Sequence, residues 1–594
     1  MVSTTKCASF NRGTVLEEPT DSLIAELQST PMDTVLFWNM VTLQACANDY
    51  DRSIAPVPDQ IGPTATSRAL AIIHGAMYES LTAFNRAFKP MWKSKNFPVL
   101  GDVSRESIVD VAIMESAYQT LSYFYPKQRP IFDAVRKVHL QQIASGYIRQ
   151  ADINKGIFAG KWIASFILND RATDGSQQEK IYTPRMAPGY HQVDPTHPNQ
   201  GFLGANWGSV KPFTLDFSSQ YRPANITGDT PEARRNYLNS ADYAIEFNEV
   251  RSFGSKTSTV RTEDQTQIAI AWAYDGAPKV GVPPRLYNQI VRLIAIQQNN
   301  TMEKNARLFA LINYAMADAG IATWEAKYYY NYWRPIVAIR QAAEPSWAEP
   351  DWTPLGSPAD GAGIDFTPPF PAFVSGHSTF GSACFEMLRL FYNRDNIDFQ
   401  FQSDEYNGKT IDSNTKLPRP ALTRAYNKEV SFRDKSIYPS HSSYQVLCSP
   451  SSIDRDLKIQ HQDDCAQLEQ QGESLVISDS IKTDIENISE GVTQTMDSLT
   501  PDHSFINTVS PHDTPYLWPA KHNPRHPRIL NKGRAVYHWN QCKTQHSNKD
   551  LIDTIQISSY SLPVWADYQD FPILQFQVEP HAKILNSIPF SFRK

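Results

Sequence analysis

Long stretches in which apolar residues recur every three or four positions dominate the sequence from about residue 33 to residue 340. The clearest are DTVLFWNMVTLQACAND, SRALAIIHGAMYESLTAFNRAF, IVDVAIMESAYQTLSYF and RLFALINYAMADAGIATWEAKYYY. This spacing predicts α-helices with at least one core-facing side. Loops rich in proline, glycine and asparagine, such as PRMAPGYHQVDPTHPNQGFLG, separate them. No apolar–polar alternation is sustained enough to predict a sheet, so we predict an all-α fold, a helical bundle with long loops.

The composition changes near residue 433. Beyond it, Ser, Asp, Gln and Thr are abundant and helical periodicity is patchy, as in DRDLKIQHQDDCAQLEQQGESLVISDS. We therefore divide the chain into an N-terminal extension (1–32), a helical domain (33–432) and a divergent tail (433–594) whose composition favours partial disorder. A divergent replacement, a foreign exon and an error in the gene model remain open as origins of this tail.

The charge balance argues against several classes of partner. The 594 residues carry a net charge of −6, with a pI of about 6.2, which favours neither nucleic acid nor an anionic membrane as a partner. No stretch reaches the roughly 18 apolar residues of a membrane span, and the N-terminus lacks the apolar run of a signal peptide, so we expect a cytoplasmic protein. The six cysteines are scattered, which argues against a zinc cluster or a disulfide framework. The oligomeric state stays open, a homo-oligomer included.

Two cations in DAGIATWEAKYYYNYWRPIVAIR form the first candidate site. Lys327 precedes Arg334 by seven residues, which is two helical turns, so both side chains would point the same way. Pro335 disfavours the helical conformation for Arg334, so the helix should end or kink there. The surrounding tyrosines and tryptophan indicate burial, and buried cations need an anion. The alternative is a solvated helix face.

The stretch FTPPFPAFVSGHSTFG, residues 366–381, supplies the second candidate. Ser375 and Gly376 lie where a helix should begin, and apolar residues recur from Phe380 onwards. A helix N-terminus offers unpaired N–H groups and a positive dipole end to an oxyanion. Gly376 permits close approach of the backbone, and His377 can donate or accept a proton. An ordinary serine cap followed by an unrelated histidine is the alternative. Together, the two segments predict a pocket for an oxyanion.

These motifs, Lys327-x6-Arg334-Pro335 and Ser375-Gly376-His377, resemble the vanadium-dependent haloperoxidase and type 2 acid phosphatase superfamily. The flanking sequence, including EPDWTPLGSPADGAGIDFTPPFPAFVSGHSTFG, is similar to that of fungal-type vanadium chloroperoxidases. The resemblance covers roughly residues 33–432.

The resemblance implies a helical bundle that holds vanadate, or phosphate in the same pocket, through Lys327, Arg334, Ser375 and Gly376. It implies that His377 is the catalytic acid–base, and that hydrogen peroxide and a halide are substrates for the formation of hypohalous acid. Phe370 lies seven residues before His377, where chloroperoxidases tend to have phenylalanine and bromoperoxidases histidine, which favours a chloroperoxidase-like pocket.

The third motif of that superfamily, Ser-Arg-x5-His, is not recognisable, so the metal ligand stays unassigned. Arg455 with His461, and Lys435 with His441, have the right spacing without the family's flanking residues. Because that histidine makes the covalent link to vanadium or phosphate, turnover should fall severely without it. Three alternatives remain open: a haloperoxidase, an acid phosphatase using the same pocket, and a non-catalytic anion-binding relative.

Two further polar residues lie within predicted helices. His74, in LAIIHGAMY, is interpreted as a core histidine with satisfied hydrogen bonds. Asp318, in AMADAG, either pairs with an arginine near the site or lies on a helix surface.

Overall fold

A computed structural model describes residues 14–29, 32–85, 88–92, 106–146, 149–223, 230–356, 367–394, 396–412 and 415–426. Within these ranges the chain is mostly helical, as predicted. The helices are α1 (Thr14–Ser29), α2 (Thr34–Asn48), α3 (Gly62–Thr82), α4 (Glu106–Phe124), α5 (Arg129–Ala144), α6 (Gln150–Arg171), α7 (Pro231–Leu238), α8 (Ala241–Gly254), α9 (Glu263–Ala271), α10 (Pro283–Gln297), α11 (Met302–Tyr330), α12 (Pro335–Arg340) and α13 (Gly376–Tyr392). Short 3-10 helices occupy Pro126–Gln128, Trp207–Ser209 and Pro345–Trp347. The tail predicted for 433–594 lies outside the described residues.

Helix α11 forms the centre of the bundle. Its 29 residues make it about 43 Å long at 1.5 Å per residue. Most of its residues from Asn305 to Lys327 are buried, whichever side of the helix they occupy. It packs against α3 and α13, with further contacts to α2 and α10. A helix that is apolar on all sides is stable only inside a bundle, which explains why this segment carries the candidate lysine into the interior.

Helices α4 and α6 pack closely because α6 presents glycines at their contact. A Cβ atom on Gly160 would lie 2.5 Å from the Ala112 carbonyl oxygen and 2.7 Å from the Glu115 Cβ. A Cβ on Gly156 would lie 2.8 Å from the Ile108 carbonyl oxygen. Side chains at these positions would therefore overlap the backbone of α4.

We expect Gly160→Ala to lower the free energy of unfolding by about 1–3 kcal/mol, since the overlap outweighs the roughly 1 kcal/mol that alanine gains over glycine in a helix. Gly146→Ala is the matched control because its Cβ would meet nothing closer than the Ile143 carbonyl oxygen at 3.5 Å. Urea unfolding of both variants measures the difference. Equal stability of Gly160→Ala and wild type would contradict the close packing.

The expectation that no sheet forms was wrong for residues 399–426. Strand β1 (Phe399–Asn407) pairs antiparallel with β2 (Ala421–Tyr426). Residues at alternate positions of β1 are buried, but the later inward positions are polar. Glu405 is one of them, and it forms a buried ion pair with Arg419. Because polar residues occupy part of the buried face of β1, the apolar–polar alternation typical of a strand is visible in the sequence only at Phe399 and Phe401.

Helix α1 lies within the predicted N-terminal extension and contacts α5, with Leu23 and Leu27 buried. Among the helices of the described ranges, none combines the length and the apolar character needed to cross a membrane.

Candidate functional site

Lys327 lies in the last turn of α11 and is only 1% exposed. Its ammonium group donates to the carbonyl oxygens of Pro371 at 2.9 Å and Ala372 at 3.0 Å. Within the described part of the chain it has no carboxylate partner. Burial, and secondarily the charge of Arg334, holds the pKa of Lys327 well below its ordinary value of 10.5. The lysine ammonium is therefore buried among carbonyl oxygens and the rings of Trp324 and Phe370, with no opposite charge beside it in the described structure.

Arg334 reaches the same segment from the next helix. Helix α11 ends at Tyr330 and is capped by Asn331, which adopts a left-handed conformation with φ 54°. Arg334 itself is extended, with φ −84° and ψ 153°, and Pro335 opens α12, as the proline predicted. Its Nε donates to the Phe370 carbonyl oxygen at 2.6 Å. Its Nη2 is buried and has no hydrogen-bond partner in the described structure.

Burial lowers the pKa of Arg334 to about 10, against the opposing effect of the Asp275 carboxylate. The guanidinium remains charged at neutral pH. It lies over the Phe370 ring, 4.7 Å from the centroid, and the Lys327 ammonium lies 5.2 Å from the same centroid. The two cations thus converge on the segment 370–372, and Phe370 contacts both of them.

Helix α13 begins directly after this segment, at the predicted position. Ser375 is the N-cap, and its side-chain oxygen accepts a hydrogen bond from the Ser378 N–H at 3.3 Å. Since that oxygen only accepts here, its hydroxyl hydrogen remains available for a ligand. Gly376 is the first helical residue, and a Cβ there would lie 3.4 Å from the Trp324 ring of α11. The first N–H groups of the helix therefore lie near the end of α11.

His377 is half-buried in the first turn of α13. Its Nε2 lies 2.8 Å from the Ala273 carbonyl oxygen, and the Tyr287 hydroxyl donates to the His377 carbonyl oxygen at 2.8 Å. A carbonyl can only accept, so Nε2 carries a proton. No described residue forms a hydrogen bond with Nδ1, so this nitrogen keeps a free lone pair in the described structure.

This arrangement fits an oxyanion. Two buried cations, one with an unpartnered N–H group, lie against residues 370–372, shortly before the start of α13, where the helix dipole is positive. Uncompensated burial of charge is costly, and a bound anion would relieve it. The described residues contain no cluster of three or more His, Cys, Asp and Glu side chains that would suit a bare metal cation. The donor set therefore suits vanadate or phosphate, held by its oxygens.

The structure brings Lys327, Arg334, Ser375 and Gly376 together around residues 370–376. The candidates for the third motif, Arg455 with His461 and Lys435 with His441, lie outside the described residues.

Sequence reasoning missed two residues at this site. Asp275 lies close enough to Arg334 to oppose the lowering of its pKa. His191 lies close enough to Lys327 and Arg334 for both charges to lower its own pKa. Both residues lie in loops that lack helical periodicity. The only signal in the sequence that could have indicated them as site residues is their polar character within Pro- and Gly-rich segments.

The two remaining predictions concern buried polar residues. His74 is fully buried, with Nδ1 2.8 Å from the Leu70 carbonyl oxygen and Nε2 3.0 Å from the Asn39 amide nitrogen, which confirms a satisfied core histidine. The proposed surface position of Asp318 was wrong. It is fully buried and accepts hydrogen bonds from the backbone of residues 213–215, because α11 is enclosed on all sides. Burial raises the pKa of Asp318, and the charge of Arg171, at the end of α6, opposes this, so the arginine that acts on it is Arg171.

The fold is a helical bundle in which two buried cations lie near the start of α13, and comparisons with known proteins indicate the class of protein to which it is similar. Residues 307–436 match the family described as the VCPO second helical-bundle domain. Vanadium chloroperoxidase of Curvularia inaequalis is 38% identical over 220 residues, which is 34% of this chain and 35% of the relative. The chain thus spans about a third of the length of this curated relative. A second curated protein, splicing factor Cactin of Homo sapiens, is 31% identical over 83 residues, 11% of each chain.

Among solved structures, the first bacterial vanadium-dependent iodoperoxidase is similar in fold, with a TM-score of 0.51 and 19% identity. The superposition covers 70% of this chain and 94% of that one. The resemblance to the vanadium-dependent haloperoxidases is therefore confirmed, and the chain is vanadium haloperoxidase-like in sequence and fold.

Proposed function

We propose that this protein is a vanadate-dependent haloperoxidase that uses hydrogen peroxide to oxidise a halide to hypohalous acid, with residues 33–432 as the catalytic domain. The observation that carries the proposal is the pair of buried cations, Lys327 and Arg334, which converge on the carbonyl oxygens of residues 370–372. Lys327 has no carboxylate partner in the described structure, and the Nη2 of Arg334 has no hydrogen-bond partner there. The similarity to a vanadium chloroperoxidase supports vanadate as the anion.

The residues of the pocket bind and orient the anion. The Lys327 ammonium and the Arg334 Nη2 carry the charge that attracts its oxygens, and the Ser375 hydroxyl and the Gly376 N–H add neutral donors. Vanadate, when bound, supplies the redox chemistry by which peroxide oxidises halide. Burial strengthens each of these interactions because little water competes with them.

His377 handles the proton. Formation of hypohalous acid and water from peroxide and halide consumes one proton. We assign its delivery to Nδ1, because Nε2 is occupied by the Ala273 carbonyl oxygen. The hydrogen bond to that carbonyl fixes the ring orientation.

We expect the full chain to halogenate a β-diketone reporter with peroxide and bromide only when vanadate is added, which requires that a histidine of residues 433–594 takes the place of the unassigned metal ligand. His377→Ala should lower kcat by about 10²–10⁴-fold, the usual contribution of a general acid or base. Ser382→Ala, on the same helix, is the control and should retain wild-type turnover. The measurement is the loss of reporter absorbance, with and without vanadate.

Two outcomes would contradict this function. Hydrolysis of a phosphate monoester without peroxide, inhibited by vanadate, would instead identify a phosphatase. Vanadate binding without any turnover would identify a non-catalytic relative.

A further inference from the structure

The segment Gly189–His191 lies across the turn that connects α11 to α12. The Trp333 N–H donates to the Gly189 carbonyl oxygen at 3.3 Å, and the His191 N–H donates to the Asn331 carbonyl oxygen at 3.1 Å. The Tyr182 hydroxyl donates to the His191 carbonyl oxygen at 2.9 Å. These bonds fix the backbone of His191 beside the turn that leads from Lys327 to Arg334.

The His191 side chain is buried, only 2% exposed, yet unpaired. Its ring packs against Tyr182 and Phe202, with centroid distances of 5.8 and 5.3 Å. Neither Nδ1 nor Nε2 has a hydrogen-bond partner in the described structure. By contrast, the buried rings of His74 and His139 are hydrogen-bonded. Buried polar groups are nearly always paired, so two unpaired nitrogens on one ring indicate a place for a ligand.

The ring lies within the electrostatic reach of both cations. Burial first, then the charges of Arg334 and Lys327, lowers the pKa of His191 to about 3, so the ring is neutral. A neutral imidazole has one N–H donor and one acceptor nitrogen. The unpaired Nη2 of Arg334 belongs to one of these cations. The ring N–H of His191 and the Nη2 of Arg334 are thus two buried donors without a described partner, and an anion with several oxygens could accept from both of them.

We propose that His191 is a further anion-binding residue of the Lys327–Arg334 pocket, and that its ring N–H donates a hydrogen bond to an oxygen of bound vanadate or phosphate. The inference rests on the proposed function in one respect, that the pocket binds such an anion. It assigns His191 no part in the proton transfer of His377.

The test measures the binding of inorganic phosphate and of vanadate to the full chain by calorimetry, without peroxide or halide. His191→Phe keeps an aromatic ring between Tyr182 and Phe202 but removes the donor, and should weaken binding by about 10- to 100-fold, since the hydrogen bond that it removes is made to a charged group. His191→Gln restores a donor and should recover part of the affinity.

A second readout needs no variant. In protein labelled with ¹⁵N-histidine, phosphate should shift the ring signals of His191 and leave those of His74 and His139 unchanged. If His191 were a structural residue remote from the anion, its signals would stay unchanged as well.

The outcomes separate the two proposals. If wild type binds phosphate, Lys327→Met does not, and His191→Phe binds as wild type with unshifted His191 signals, the assignment of His191 is overturned while the pocket stands. If wild type binds neither anion, both proposals fail. Weaker binding by His191→Phe, partial recovery in His191→Gln and a shifted His191 signal support the assignment.

Discussion

We expect Lys327→Met to abolish the stabilisation by vanadate and phosphate that the proposed pocket would give this protein. The lysine ammonium is buried, has no carboxylate partner in the described structure and donates only to two carbonyl oxygens, so its charge is available to an anion. Loss of one member of a buried, hydrogen-bonded charge pair costs about 2–5 kcal/mol, which corresponds to roughly 30- to 5,000-fold in affinity. Methionine has a similar length and no charge, so it fills the same space.

Thermal unfolding in increasing phosphate measures this effect, because a ligand that binds only the folded state raises Tm with its concentration. Wild type should show such a rise and Lys327→Met none over the same range. Lys304→Met is the matched control, since Lys304 is an exposed lysine in the first turn of the same helix. An unchanged phosphate effect in Lys327→Met would exclude the pocket as the anion site.

The same lysine sets a pH dependence. Burial lowers the folded-state pKa of Lys327 well below the 10.5 of the unfolded chain, so the unfolded state binds more protons between these two values. The lysine's contribution to folding stability therefore rises with pH across that window. Anion affinity changes in the opposite direction, because it requires the ammonium. Lys327→Met should remove both dependences.

Relations between residues close together in the chain predicted most of the helices, and they predicted that Lys327 and Arg334 lie on the same side. The spacing of Lys327 and Arg334, and the effect of Pro335 on the residue before it, follow from helix geometry and steric clash. The serine cap of α13 follows from the chemistry of helix N-termini in the same way. Each of these predictions depends only on residues close together in the chain.

The rest of the site depends on tertiary contacts. The Phe370 carbonyl oxygen becomes the acceptor of Arg334 only because a loop folds back onto the end of α11. His191 and Asp275 reach the cations from two other loops, whose paths no periodicity specifies. The β1–β2 pair was missed for a related reason, since Glu405 is buried by its ion pair with Arg419 and not by an apolar side chain.

Asp318→Ala should cause the largest loss of folding stability among the variants considered. The carboxylate is fully buried and accepts from the Phe213 N–H at 2.6 Å, from the Thr214 N–H and hydroxyl at 2.7 Å each, and from the Leu215 N–H at 3.2 Å. Alanine leaves three backbone donors of this loop unpaired at once. Each unsatisfied buried donor costs about 1–3 kcal/mol, and partial access of water reduces the sum to about 3–5 kcal/mol.

Asp318→Asn keeps the volume of the side chain but removes part of its hydrogen bonds, so it shows how much of the stability depends on those bonds. An asparagine oxygen can keep the Thr214 and Leu215 bonds while its amide group faces the Phe213 N–H, so we expect roughly half the loss of Asp318→Ala. Asp170→Ala is the control, because Asp170 holds the neighbouring Lys211 through a partly exposed ion pair of 3.5 Å, which should contribute less than about 1 kcal/mol. Urea unfolding followed by tryptophan fluorescence measures all three variants. Equal losses for Asp318→Ala and Asp170→Ala would show that the loop is not anchored by Asp318. We expect the free energy of unfolding to be lowest for Asp318→Ala, intermediate for Asp318→Asn and highest for Asp170→Ala. This order follows from the number of donors that each variant leaves unpaired on the loop packed against α11.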